Sequence, residues 1–364
     1  AAIDLAPRGA GGATDRGHSR SLGWLLRVRA LLYLPAVVTL TAAVALFALA
    51  QGPGLTFGRV LEALGSGLGM ASAEAQDGVI VNEVLLPRVL VAILSGASLA
   101  MAGTVMQALF RNPLASPEVL GTSAGSALGA VVAIAAGLAG VSIFAAPAFA
   151  FAGASLVSIF VYLAASRAGG FSITGILLAG IAMNTLVGAV TVFFVSLSFQ
   201  NFQSSAPIMF WLMGGLDLVG FPHAAIVGGG LIIFGVLSLP LLRDMDLLAL
   251  REESAASLGV DIKRLRITLL IVACGMTATA VSCTGGIAFI GLVVPHMVRL
   301  MVGPSHRTLI PCAAGTGSLV LLSAYCVCKM VPAESELRPG VVTSLLGAPF
   351  FFWLLIRHRR GSEL

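Results

Sequence analysis

Leu31-Leu-Tyr-Leu-Pro-Ala-Val-Val-Thr-Leu-Thr-Ala-Ala-Val-Ala-Leu-Phe-Ala-Leu-Ala50 runs for twenty residues without a charge. As a helix it rises about 30 Å, the thickness of a bilayer's hydrocarbon core. Ala48-Leu49-Ala50 has the look of a signal-peptide cleavage site. Signal h-regions, however, span only about 7–15 residues, so the stretch reads as a first transmembrane helix. The composition extends this reading to the whole chain. Of 364 residues, 58% are hydrophobic and 10% charged, against roughly 25% charged in a soluble domain, and the mean hydropathy is +1.00. A soluble enzyme, a nucleic-acid binder and a disordered chain are excluded at this step. The runs are continuous rather than alternating, and three Tyr and three Trp are too few for an aromatic-girdled barrel. The expected fold is an all-α polytopic membrane protein.

Further spans are expected at about 87–109, 118–138, 143–166, 172–197, 223–243, 265–284, 287–302, 308–330 and 340–356, which makes about ten. The chain divides into a polar tail over 1–30, one transmembrane domain over 31–357 with a hydrophilic region at 244–264, and a tail over 358–364. With the N-terminus inside, 17 of the 21 Lys and Arg residues fall on the cytoplasmic side; Arg59, Arg88, Lys329 and Arg338 are the other four. This split follows the positive-inside rule and places both termini in the cytoplasm. The net charge of +5 is thus a matter of topology, with the lipid bilayer as partner and no nucleic acid. Gly121, Gly125 and Gly129 are spaced four apart and share a helix face, where a second helix can approach closely.

The chemistry is sparse. The only lysines are Lys263 and Lys329, and neither follows a phosphate-cradling glycine loop. No carboxylate sits in the middle of a span, which weighs against proton or ion coupling. The five Cys lie in apolar segments without a CxxC pair and read as small hydrophobic residues, so no metal site is expected. Asn184, in the middle of the fifth span, is either interhelical glue or a polar group facing a pathway. Residues 247–258 carry good helix formers ending at Gly259 and read as a surface helix. Its apolar residues Leu247, Leu250, Ala255 and Leu258 face either a partner or the bilayer.

Four stretches together resemble the BtuC/FecCD family, the permease subunits of type II ABC importers. They are Leu86-Pro87-Arg88 through Gly96-Ala97 and Gln107 to Arg111-Asn112-Pro113-Leu114-Ala115 and Leu120-Gly121; Leu177-Leu178-Ala179-Gly180; Ala255-Ala256-Ser257-Leu258-Gly259-Val260; and Gly286-Ile287-Ala288-Phe289-Ile290-Gly291-Leu292 through Pro295-His296-Met297-Val298-Arg299 to Gly347-Ala348-Pro349-Phe350. The resemblance implies a BtuC-like subunit in the inner membrane, paired with a second copy around a central translocation pathway. Two ATPase subunits would bind ATP and Mg, this chain itself holding no cofactor, and a periplasmic substrate-binding protein would deliver cargo. That cargo is a metal chelate: haem or a ferric siderophore is favoured, with cobalamin the other member of the class.

The resemblance also implies site residues. The cytoplasmic gate would be Asn112 and Leu114 with Ile173 and Thr174. The ATPase contact would be the helix bearing Leu247, Leu250, Ala255, Ala256, Leu258 and Gly259. Docking of the binding protein would fall to Arg88, Lys329 and Arg338. The chain departs from the family pattern at Leu85, where an Arg is common, at Tyr325 and Lys329, which stand for an Asp and an Arg, and at Arg338-Pro339-Gly340, which replaces Pro-Val-Gly. Lys lacks the bidentate fork of Arg, so docking shifts in strength or place. The rival class is an ion-coupled secondary transporter of a small organic solute, separable by ATP dependence.

Overall fold

The fold comes from a computed structural model, which describes residues 14–52, 54–67, 75–167, 173–198, 202–250, 252–332 and 337–361. Among the described residues, ten principal helices follow one another: α1 Thr14–Ala50, α2 Leu86–Phe110, α3 Thr122–Ala135, α4 Ala145–Arg167, α5 Ile173–Ser198, α6 Phe221–Ser238, α7 Ile262–Thr284, α8 Ile290–Val302, α9 His306–Met330 and α10 Pro339–Gly361. There is no strand among the described residues. Among the described residues, seven segments are long and apolar enough to cross a membrane, and α3, α8 and the apolar part of α10 are shorter apolar helices. The ten-helix expectation is met, and the break between α7 and α8 falls at Gly285, as the Gly285-Gly286 pair predicts.

The bundle is built around α2. It packs against α6, α7, α8 and α9, and 78% of its most apolar stretch is buried, against 22% for α5 and 17% for α1. Small residues allow this. A Cβ on Gly96 would lie 2.3 Å from the Gly317 carbonyl oxygen, and one on Gly103 would lie 1.7 Å from that of Gly291. The helices therefore touch backbone to backbone, the arrangement that stabilises helix pairs where lipid offers no hydrophobic driving force. The glycine stripe on α3 does the same with α4: a Cβ on Gly125 would lie 2.4 Å from the Gly153 carbonyl oxygen, and one on Gly129 would lie 2.0 Å from that of Phe149.

Several boundaries differ from the sequence reading. The first helix starts at Thr14, inside the stretch read as a tail, and α10 continues to Gly361. The polar flanks simply extend the helical run. The third span is cut to fourteen residues. Ahead of it, Pro117–Leu120 is a 3-10 turn that ends at Gly121, whose φ of +77° stops the helix from beginning earlier. Short helices lie in segments read as loops, among them Phe57–Gly67, with Val60 and Ala63 buried, Ala75–Val79 continuing into the π-helix Ile80–Leu85, and Phe202–Leu212.

Candidate functional site

Two groups of side chains lie at opposite ends of α2. Its twenty-five residues rise about 37 Å, with Arg88 in the first turn and Arg111 just past the last.

At the Arg88 end, three backbones meet. Gly214 has a φ of +68°, a conformation open to glycine at no steric cost, and a Cβ there would lie 2.2 Å from the Gly286 carbonyl oxygen. The Gly215 amide donates to the Thr284 carbonyl at 2.8 Å, and the Gly340 amide donates to the Gly214 carbonyl at 3.3 Å. This junction fixes the loop that carries Asp217 beside the start of α10. Arg88, Lys329 and Arg338, on three separate elements, all converge on the Asp217 carboxylate. Arg88 lies 3.8 Å from it and Lys329 3.6 Å; Arg338 is in direct contact. Arg88 also donates to the Asp217 backbone carbonyl at 2.7 Å. The Arg338 guanidinium stacks on Phe210 at 4.5 Å, and the Lys329 ammonium lies 5.6 Å from the Tyr325 ring centre. Burial, and then the Arg88 cation, pull the Arg338 guanidinium below its ordinary range, though a guanidinium keeps its charge regardless. Three cations against one carboxylate leave an excess of positive charge beside a cavity of about 370 Å³ lined by Asp217, Tyr325, Lys329 and Arg338. The structure thus brings together all three residues expected to dock a partner. It adds Asp217 and Phe210, for which the sequence offers no signal beyond an acid after a Gly-Gly turn.

At the other end, Arg111 closes α2 in a left-handed conformation with φ of +47°. The Asn112 Oδ1 accepts from the Leu114 amide at 2.9 Å, so the Asn112-Pro113-Leu114 turn is tied by its own side chain. Asn112 is exposed and Leu114 half-buried, while Thr174 is exposed in the first turn of α5. Ile173 begins that helix, and its side chain lies outside the described residues. Within one chain, the four expected gate residues therefore stand on two separate elements. Asn184 is half-buried and donates to the Glu118 carbonyl at 3.2 Å, which joins the middle of α5 to the 3-10 turn before α3.

The expected surface helix is two short helices, Leu242–Leu248 and Glu252–Ser257, separated at Ala249 and Leu250. Gly259 caps the second: its φ is +87°, and the Val260 amide reaches back to the Ala255 carbonyl at 3.1 Å. Leu250, Ala256 and Leu258 are exposed and Leu247 is half-buried. Ala255 is fully buried, which corrects the expectation that it faces outward: its small side chain seats the helix on the bundle.

The FecCD transport family model matches residues 27–357. The chain is 42% identical over 277 residues to the cobalamin import system permease protein BtuC of Halobacterium salinarum, covering 76% of this chain and 73% of that protein. It is 37% identical over 279 residues to the hemin transport system permease protein HmuU of Yersinia pestis, covering 76% and 83%. Among solved structures, an inward-facing conformation of a metal-chelate type ABC transporter superposes with a TM-score of 0.78 at 26% identity, covering 89% of this chain and 98% of that one.

Proposed function

The chain belongs to the FecCD transport family, and from that premise we propose that it is the membrane-spanning permease of an ATP-driven importer of a metal chelate. It works as a pair of identical subunits in the cytoplasmic (inner) membrane with both termini inside. Two ATPase subunits bind ATP and Mg, and an external binding protein delivers the cargo. The similarity to a cobalamin permease and a hemin permease supports the chelate class. Within it, haem or a ferric siderophore is the first candidate and cobalamin the second.

The observation that carries the reading is the convergence of Arg88, Lys329 and Arg338 on Asp217 at the end of α2 opposite the Gly259-capped helix. The cation-rich end suits an acidic docking partner. At the other end, Leu250, Ala256 and Leu258 offer an exposed, mainly apolar surface to the ATPase, with Gly259 ending the helix. Between the two, the Glu118 carboxylate is buried in the 3-10 turn that precedes α3, at the end of a span rather than in its middle. Asn112, Leu114, Ile173 and Thr174 form the inner gate: Leu114 and Ile173 meet their mates across the dimer axis and exclude water, while Asn112 and Thr174 hold no cargo tightly.

The test is reconstitution of the chain with its ATPase and binding protein in vesicles, offering haem, a ferric siderophore and cobalamin in turn. Uptake should require ATP and the binding protein, and should stop when the ATPase subunit is inactivated. Uptake driven by an ion gradient without the ATPase would overturn the reading.

A further inference from the structure

One carboxylate links the start of α7 to the end of α2. Glu252, the first residue of the short helix Glu252–Ser257, accepts at Oε1 from the Arg111 Nη2 at 2.8 Å, and the same oxygen is in direct contact with Arg266 of α7. Arg111 is the residue that closes α2 with a positive φ, a conformation rarely adopted by a long side chain. It stands immediately before the Asn112-Pro113-Leu114 turn. Pro113 has no free φ and no amide hydrogen, and the Asn112 side chain ties the rest of the turn. A displacement of Arg111 is therefore passed on to Leu114 with little slack. On the other side, Ala255 is buried and the Gly259 cap is closed, so the short helix shifts as a unit when its exposed residues are pushed.

We propose that Glu252 is the positioning residue that couples the Glu252–Ser257 helix to the Arg111–Leu114 turn, so that ATPase movement reaches the gate through a single carboxylate. The inference rests on the gate and coupling readings above. Arg266 holds the carboxylate against α7, while the Arg111 arm carries the motion. The arms differ in exposure: the Arg266 side chain is 13% exposed and that of Arg111 34%. The Arg266 side is the anchored one, and the Arg111 side, in water, is the one that can be remade in each cycle. Without the negative charge, two guanidiniums face each other and the turn is released from the helix.

The experiment uses the assembled complex with its ATPase and binding protein. Glu252→Gln keeps the shape of the side chain and removes the charge. ATPase subunits should still co-purify and hydrolyse ATP, while cargo moved per ATP falls about fivefold, the scale of a partly exposed ion pair. Arg111→Gln should give the same loss, and the double variant should be no worse than either single one, because both act through one contact. In a cysteine-free background, crosslinking of Leu114→Cys across the dimer should vary with nucleotide when Glu252 is present and stop varying with Glu252→Gln. Normal coupling in Glu252→Gln, or additive losses in the double variant, would overturn the proposal. If Glu252→Gln fails to assemble, Arg111→Gln alone decides the coupling ratio. Absence of Leu114→Cys crosslinking in every nucleotide state with Glu252 intact counts against the gate reading instead, and the cargo-to-ATP ratio then still judges the link.

Discussion

Gly103→Ala tests whether the centre of the bundle is held by backbone contact. The added Cβ would lie 1.7 Å from the Gly291 carbonyl oxygen and 2.6 Å from the Gly291 Cα, whereas ordinary contact begins at 3.4 Å. The two backbones must part by about 1.7 Å, because an alanine methyl has no rotamer that avoids the clash. Gly96 lies two turns earlier on the same face of α2 and also meets backbone, a Cβ there lying 2.3 Å from the Gly317 carbonyl oxygen of α9, so a retreat from α8 also opens that contact. Overpacked sites typically lose about 1–3 kcal/mol, and a clash with backbone on both sides belongs at the upper end. Gly229→Ala in α6 is the control. Nothing stands within 4 Å of its Cβ position, and the same exchange at an open helical site stabilises by about 0.4–1 kcal/mol. Thermal unfolding of the two purified variants in one detergent should place Gly103→Ala below the parent and Gly229→Ala at or above it. If Gly103→Ala unfolds at or above the parent temperature with unchanged yield, the backbone-contact account of the core is wrong.

Ion pairs at a partly exposed surface are worth about 0–1 kcal/mol each, and the side chains of Arg88 and Lys329 are 18% and 33% exposed, so single changes at either should alter docking mildly. Reversing both to Glu should weaken binding-protein affinity several-fold, most at low salt, as measured by surface binding to the reconstituted complex; unchanged low-salt affinity would discard the docking assignment. Asp217→Asn should tighten docking and steepen its salt dependence, since it releases cations that Asp217 now occupies. Leu258→Glu places charge on an exposed residue of the capped helix and should uncouple ATP hydrolysis from uptake with the spans intact; uptake at the parental rate would remove this helix from the ATPase contact. Cysteine at Leu114 or Ile173, in a background free of the native five, should crosslink between subunits at rest and block uptake reversibly on reduction.

The spans are legible in the sequence because charge-free runs near twenty residues have one stable home, and a glycine four-repeat such as Gly121-Gly125-Gly129 marks a packing face whatever the partner. Phe202–Leu212 is not legible: it is too short to span and is interrupted by Pro207, so its helicity depends on the neighbours it packs against. The docking trio is nameable through family motifs, but its common centre at Asp217 depends on the meeting of the 214, 284 and 340 backbones. That contact joins residues far apart in the chain and leaves no local pattern. The same holds for Glu252, which looks like one of two adjacent surface acids until α2 and α7 bring Arg111 and Arg266 to it. Ala255 shows the converse error. An apolar residue on a surface helix identifies itself as apolar, but periodicity alone does not say whether the bundle or a partner receives it.

Side chains yield by changing rotamer, whereas a carbonyl oxygen resting on another backbone has nowhere to swing. Where α2 meets α8 and α9 at Gly103, Gly291, Gly96 and Gly317, there is no compressible layer, and these three helices behave as a single casting. Helix α1, with 17% of its apolar stretch buried, is hung on that casting rather than built into it, while α5, with 22%, packs on α3 and α4 instead. On the proposed function, a passage wide enough for a chelate would open by tilting whole castings of paired subunits against one another and by hinging the outer helices. The centre of the subunit would then keep its shape through the stroke and serve as the lever on which both ends act.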